Sequence, residues 1–297
     1  MKSLIRPAML IMPLIAGALL PELHFLAAPP YNLIRWALCM MIFINALQIK
    51  FSDLKPCVEH GVLLAVNIVI GLGIFFLLKM IFPGDLTVAQ SGFFAGIAPT
   101  AAASAVVIAL LDGNMGFAVT GFIISNIGIA GALLVLLPLV AGNFSVLFFL
   151  DVLKSLVITI LIPLLAAGII RRSFPAITAN RERLKNLTLC LWSFSLLIIA
   201  SVARNFFDYH RENPWRLIIV SFVVSLLSSV VNFTTGYWIN RRFRAESSQL
   251  LGQKNTTFAI YIALEYASGG AALASIFYVL FHNGWNSIQL YLKCRKK

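Results

Sequence analysis

The chain predicts an all-α, polytopic membrane fold, and three observations carry that prediction. Of its 297 residues 60% are hydrophobic and only 11% charged, where a soluble domain carries about 25% charged residues. The apolar residues run in long blocks, and a helix needs about 20 of them to cross a bilayer. Lipid admits only helices or closed barrels, and barrel strands would show short alternating segments instead. Lysine and arginine gather between the blocks and at both chain ends, the pattern of loops on a membrane protein.

Ten spans follow in order, as a single transmembrane domain over 1–297. The first, 7–27, has Lys2 and Arg6 ahead of it, as a secretory signal would, but further spans come at once and it reads as the first helix. The second, 33–49, is followed by Lys50 and Lys55. The third is 61–81. The fourth, 87–111, contains GIAPTAAASAVV and closes on Asp112-Gly113-Asn114, a tight-turn signature. The fifth is 115–140 and the sixth 145–170, with Lys154 near its start and long enough to snorkel to the surface. The longest polar break, RRSFPAITANRERLKN, leads to the seventh at 186–206. DYHRENPW precedes the eighth at 216–239, and NRRFRAESS the ninth at 247–264, which contains LLGQKNTT. The tenth, 268–290, is followed by KCRKK. Its Phe277, Tyr278, Phe281, Trp285 and Tyr291 suit lipid-facing or interfacial positions.

The net charge of +12 does not imply a nucleic-acid partner, because no amphipathic surface carries the basic residues. Cys39, Cys57, Cys190 and Cys294 have no paired spacing, so neither disulfides nor a zinc site is expected. The four histidines are equally scattered. HExxH, GxSxG, P-loop and GxGxxG motifs are all missing, so nothing in the chain points to an enzyme or an organic cofactor. The expected partners are the lipid bilayer and a small ligand.

Charge then orients the chain. With both termini in the cytoplasm, Lys2, Arg6, Lys50, Lys55, the basic residues of 171–185, Arg241, Arg242, Arg244 and the tail all fall inside. That is an integral protein of a bacterial-type inner membrane. MPLIAGALL at 12–20 and IPLLAAGII at 162–170 begin the first and sixth spans and echo one another. A five-helix unit repeated after an odd number of spans is inverted in the membrane, which divides the chain near 1–142 and 145–297. Inverted repeats with interrupted helices at matching places mark the sites of secondary transporters.

The fourth and ninth spans match in that sense. Pro99 lacks a backbone N–H and disfavours helix at Ala98, beside Gly96, Thr100 and Ser104. Gly252, Lys254, Asn255, Thr256 and Thr257 interrupt the ninth. A plain proline kink with packed small residues would explain the fourth span alone; the matching interruption in the ninth favours a site.

Residues 96–142, centred on PTAAASAVVIALLDGNMGFAV, and GQKNTTFAIYIALEYASGGAALASIFYVLFHNGWNSI near the end resemble the bile acid:sodium symporter family. The resemblance implies ten helices in a panel (7–49 and 145–206) and a core (61–140 and 216–290), with broken helices four and nine crossing in the core. It also implies transport of organic anions, mostly with sodium. The family's sodium ligands carry over poorly. Its helix-four serine is Ser104, but the asparagine partner is Ala105; two helix-five hydroxyls fall on Ala118 and Phe122, a glutamate on Leu250 and a glutamine on Lys254. Asn255 is retained, and Asn67 matches a helix-three amide.

The expectation is therefore a secondary transporter of a small carboxylate or sulfonate. Pro99, Thr100, Ser104, Lys254, Asn255 and Thr256 form its substrate site, facing the half-helix N-termini. Lys254, with Ser104, Asn255 and Asn67, replaces a sodium ion. A charged residue in mid-membrane usually faces the bundle interior; the alternative is a lysine that snorkels to the interface. Two other functions stay open. One is a sodium symporter that keeps the ion through backbone carbonyls, and the other is a membrane receptor that binds a ligand without moving it.

Overall fold

The computed structural model describes residues 12–48, 54–174, 181–209 and 214–294. Lys2, Arg6, the start of the expected first span, Lys50 and the last three residues lie outside them. In chain order the elements are α1 (12–19), a 3-10 turn Pro21–Ala27, α2 (Leu33–Leu47), α3 (Val58–Ile81), α4 (Leu86–Ile97), α5 (Ala103–Leu110) and α6 (Met115–Ala141). Next come α7 (Val146–Leu156), a π-helical turn Val157–Leu161, α8 (Ile162–Ser173), α9 (Arg181–Tyr209) and α10 (Pro214–Ile239). The chain closes with α11 (Arg244–Gly252), α12 (Thr256–Tyr266), a 3-10 turn Gly270–Ala272 and α13 (Leu273–Cys294). Five helices among the described residues are long and apolar enough to cross a bilayer: Val58–Ile81, Met115–Ala141, Val146–Ser173, Asn186–Phe206 and Trp215–Ile239. The protein is a polytopic α-helical membrane protein.

Local chemistry explains where the elements differ from the expected spans. Pro21 opens the 3-10 turn, so the first span is not one helix through residue 27. Pro163 cannot donate to the carbonyl of Thr159. The sixth span widens there, and Ile162 N–H bonds back to Val157 O across the π turn. The turn after α5 has the expected form: Asp112 is left-handed at φ 58, and Asn114 Oδ1 caps α6 by accepting Phe117 N–H at 3.0 Å.

The chain divides into two compact units, 1–49 with 146–214 and 50–145 with 215–297. In the first, α2 packs on α8, α9 and the π turn, and the 3-10 turn packs on α9. Ser201 Oγ donates to Leu20 O at 2.7 Å and to Pro21 O at 3.0 Å, tying that turn to α9. In the second, α3 lies along α4 and α6, while α13 and α12 lie against α4. The α3–α4 contact is close because of glycine: a Cβ on Gly96 would stand 3.0 Å from the Gly71 Cα. Both interrupted helices belong to the second unit.

Candidate functional site

Pro99 ends α4. Ala98 takes the extended ψ of 140° that a following proline favours, and helix resumes only at Ala103. Thr100, 1% exposed, is the centre of this break. Its N–H donates to Ser125 Oγ at 3.0 Å, and its carbonyl accepts from Asn126 Nδ2 at 3.0 Å, so two adjacent residues of α6 hold it on both sides. Its hydroxyl donates to Leu250 O, at the end of α11, at 2.5 Å.

The second break contains no proline. Helix α11 stops at Gly252, where a Cβ would stand 2.3 Å from atoms of the Phe233 ring, and α12 starts at Thr256. The two interruptions lie antiparallel, with Thr100 paired to Lys254. Ala101 N–H reaches Gln253 O at 2.8 Å, and Asn255 N–H reaches Pro99 O at 2.7 Å. Three consecutive side chains then leave in different directions. Gln253 Oε1 accepts from Asn286 Nδ2 of α13 at 2.6 Å, within a buried carboxamide group that includes Gln249 and Gln289. Asn255 Oδ1 caps α12 through Phe258 N–H at 3.2 Å. Lys254 Nζ donates to Asn67 Oδ1 of α3.

That last contact defines the electrostatics. Asn67 turns its Nδ2 onto Ile97 O at 3.3 Å and Ala98 O at 3.2 Å, the carbonyl end of α4. The amino group therefore stands, through Asn67, beside the negative end of one half-helix. Lys254 is 1% exposed, and no acidic side chain among the described residues pairs with it. The break carbonyls are also engaged: Pro99, Thr100, Leu250, Gly252, Gln253 and Lys254 each accept a protein donor, Gly252 from Tyr278 Oη at 2.9 Å. Three of the positions that the resemblance matches to ligand side chains, Leu250, Ala118 and Phe122, are apolar and buried. Leu250 clusters with Leu63 and Phe117, and Ala118 is fully buried.

Pro99, Thr100, Lys254, Asn255 and Asn67 come together as one cluster. Thr256 begins α12 at 5% exposure, and Ser104 sits in the first turn of α5 with a fully buried hydroxyl that has no hydrogen-bond partner. A narrow cavity with room for about one water, lined by Asn67, Thr100, Ser125, His60 and Leu250, adjoins them. The N-termini of α5 and α12 are less open than anion binding from the backbone would suggest. Thr100, Ala101, Asn255, Thr256 and Phe258 already spend their N–H groups internally.

Sequence reasoning did not place Ser125, Asn126, Gln253 and Asn286. The Ser-Asn pair inside an apolar helix was the available signal for the first two, but a polar pair does not reveal which face of its helix it occupies. Tyr278 corrects the expected lipid-facing tail: it is fully buried and bonds to the second break. Phe277 and Phe281 pack against Phe222, with ring centroids 5.5 and 5.0 Å away, and Trp285 stacks on Phe233 at 5.0 Å. Tyr291 is exposed as expected.

Against known families, the model of the Sodium Bile acid symporter family matches residues 35–209, more than half of the chain. The match includes the first break and stops before the second. No curated protein matches the chain.

Proposed function

We infer the function from one premise: the chain belongs to the Sodium Bile acid symporter family, and so is an integral-membrane transporter of that type rather than an enzyme. We propose that it carries a small carboxylate or sulfonate by alternating access, without sodium, and that Lys254 holds the place of a sodium ion. The observation that carries this reading is the buried ammonium of Lys254 donating to Asn67, which itself binds the carbonyl end of α4. A coupling ion in an interrupted-helix transporter bridges unwound carbonyls and half-helix ends. Here the tethered amino group of Lys254 would make that bridge.

The oxygen donors support the same reading. Sodium wants several oxygen ligands, yet the side chains of Leu250, Ala118 and Phe122 offer none. The substrate anion would approach Lys254 from the side of Thr100, Pro99, Asn255 and Thr256, where the Ser104 hydroxyl is a donor with no partner. Lys254 then acts either as a fixed charge, making the protein a uniporter, or as a group that takes up a proton with the anion.

The architecture that fits this mechanism has ten spans in two inverted repeats, about 1–142 and 145–297. It comprises a panel (7–49 and 145–206) and a core (61–140 and 216–290), with both termini in the cytoplasm of a bacterial-type cell. Uptake of small radiolabelled carboxylates and sulfonates into proteoliposomes tests the function. Transport should proceed at full rate without sodium, show counterflow from preloaded vesicles, and fail in Lys254→Met. Saturable stimulation by sodium would overturn the replacement, and binding without counterflow would overturn transport.

A further inference from the structure

The turn between α10 and α11 carries a cluster of cations, at the opposite end of α11 from Lys254. Arg241, Arg242 and Arg244 are all exposed. Two of them are held in place by aromatic rings. Arg244 lies over Tyr237 at 5.4 Å and over Trp238 at 5.8 Å, and Arg242 lies over Phe243 at 5.1 Å. A guanidinium flat on a ring keeps its N–H edge for a second partner and loses little freedom when it binds one.

Asn240 builds the turn. Its Oδ1 accepts the N–H groups of Arg242 and Phe243, each at 3.1 Å. The residue is 8% exposed, and its Nδ2 is a buried donor with no partner. Helix α11 then starts at Arg244 with no side-chain cap, so its first-turn N–H groups add positive potential. Two carboxylates are near. Glu246 is turned away and accepts Asn114 N–H at 2.7 Å; Glu59 lies within electrostatic reach of Arg242. Three arginines, an unpartnered amide N–H and an uncapped helix start make a site for an oxyanion.

Its depth identifies the source. The turn directly follows the apolar span Trp215–Ile239, and the last residues of that span expose rings: Trp238 is 69% exposed and Tyr237 37%. Such rings settle at headgroup level. We propose that residues 240–244 bind the phosphate of an acidic phospholipid, with the guanidinium edges and Asn240 Nδ2 as donors. Three cations against one phosphate favour a headgroup with net negative charge over a zwitterionic one. The lipid would also hold the start of α11, whose far end leads into the second break.

The test uses the full chain reconstituted in nanodiscs of phosphatidylcholine with or without phosphatidylglycerol, followed by native mass spectrometry of retained lipid. Wild type should retain phosphatidylglycerol in preference to phosphatidylcholine. The triple Gln variant, Arg241→Gln with Arg242→Gln and Arg244→Gln, should lose about tenfold or more of that retention. Asn240→Asp keeps the turn-forming oxygen and removes the free donor; it should weaken retention even if the triple variant does not fold. Equal retention of both lipids, or undiminished retention in the variants, overturns the proposal. So does displacement of the lipid by inorganic phosphate, which would make this a site for a soluble oxyanion.

Discussion

The two interruptions of the second unit are built by different means. In the first, between α4 and α5, the backbone imposes the break: Pro99 removes a donor, and neutral groups of Ser125 and Asn126 collect the freed N–H and carbonyl of Thr100. In the second, between α11 and α12, no residue forbids a helix. Gln253, Lys254 and Asn255 hold the chain open with bonds to α13, α3 and the start of α12. The first break follows from the covalent chemistry of Pro99, whereas the second is held open by side-chain hydrogen bonds. The difference places the one buried lysine side chain of the two breaks in the second.

Five substitutions would break or sharpen this contrast. Lys254→Met removes the charge from the second break and should abolish anion binding and uptake; intact uptake would show the lysine to be structural. Lys254→Arg keeps the charge but swaps an ammonium for a wide fork that does not deprotonate. Any pH dependence of anion uptake should disappear in it, and a profile unchanged from wild type would exclude proton exchange at this position. Pro99→Ala acts on the other break. It should allow a continuous helix, with transport lost and membrane expression near normal; unchanged kinetics would reduce the proline to a kink.

Asn67→Leu deprives Lys254 and two α4 carbonyls of their shared partner. Leaving buried polar groups unpaired costs about 1–3 kcal/mol, which thermal unfolding of the purified protein should register as a lower Tm. The smallest effect is expected from Ser125→Ala, since an interhelical hydrogen bond in a membrane is worth about 0.6 kcal/mol on average. A loss as large as that of Asn67→Leu would mean that the first break also depends on its side chains.

Much of this was readable from residue order. The apolar blocks identify the membrane class, Pro99 identifies one interruption, and Gly252 with a lysine and polar neighbours in an apolar span identifies the other. Those signals are local: a missing N–H, a charge without water, a length matched to lipid. The direction of a side chain is not local. Tyr278 looked like one more interfacial aromatic until its hydroxyl was found on Gly252 O. Ser125 and Asn126 had no assignable face because α6 is apolar all round and lacks an amphipathic stripe.

By itself the sequence determined that this protein lives in a bilayer and that two of its helices are interrupted, the second of them at a lysine. Each conclusion follows from composition or from a single residue's covalent chemistry. Tertiary structure alone decided that the two interruptions lie antiparallel, that Lys254 is held by an amide 187 positions away along the chain, and that the break carbonyls already have donors. Hydrogen bonds between distant segments depend on how helices pack, and a periodicity of apolar residues does not encode which neighbour each polar atom will meet.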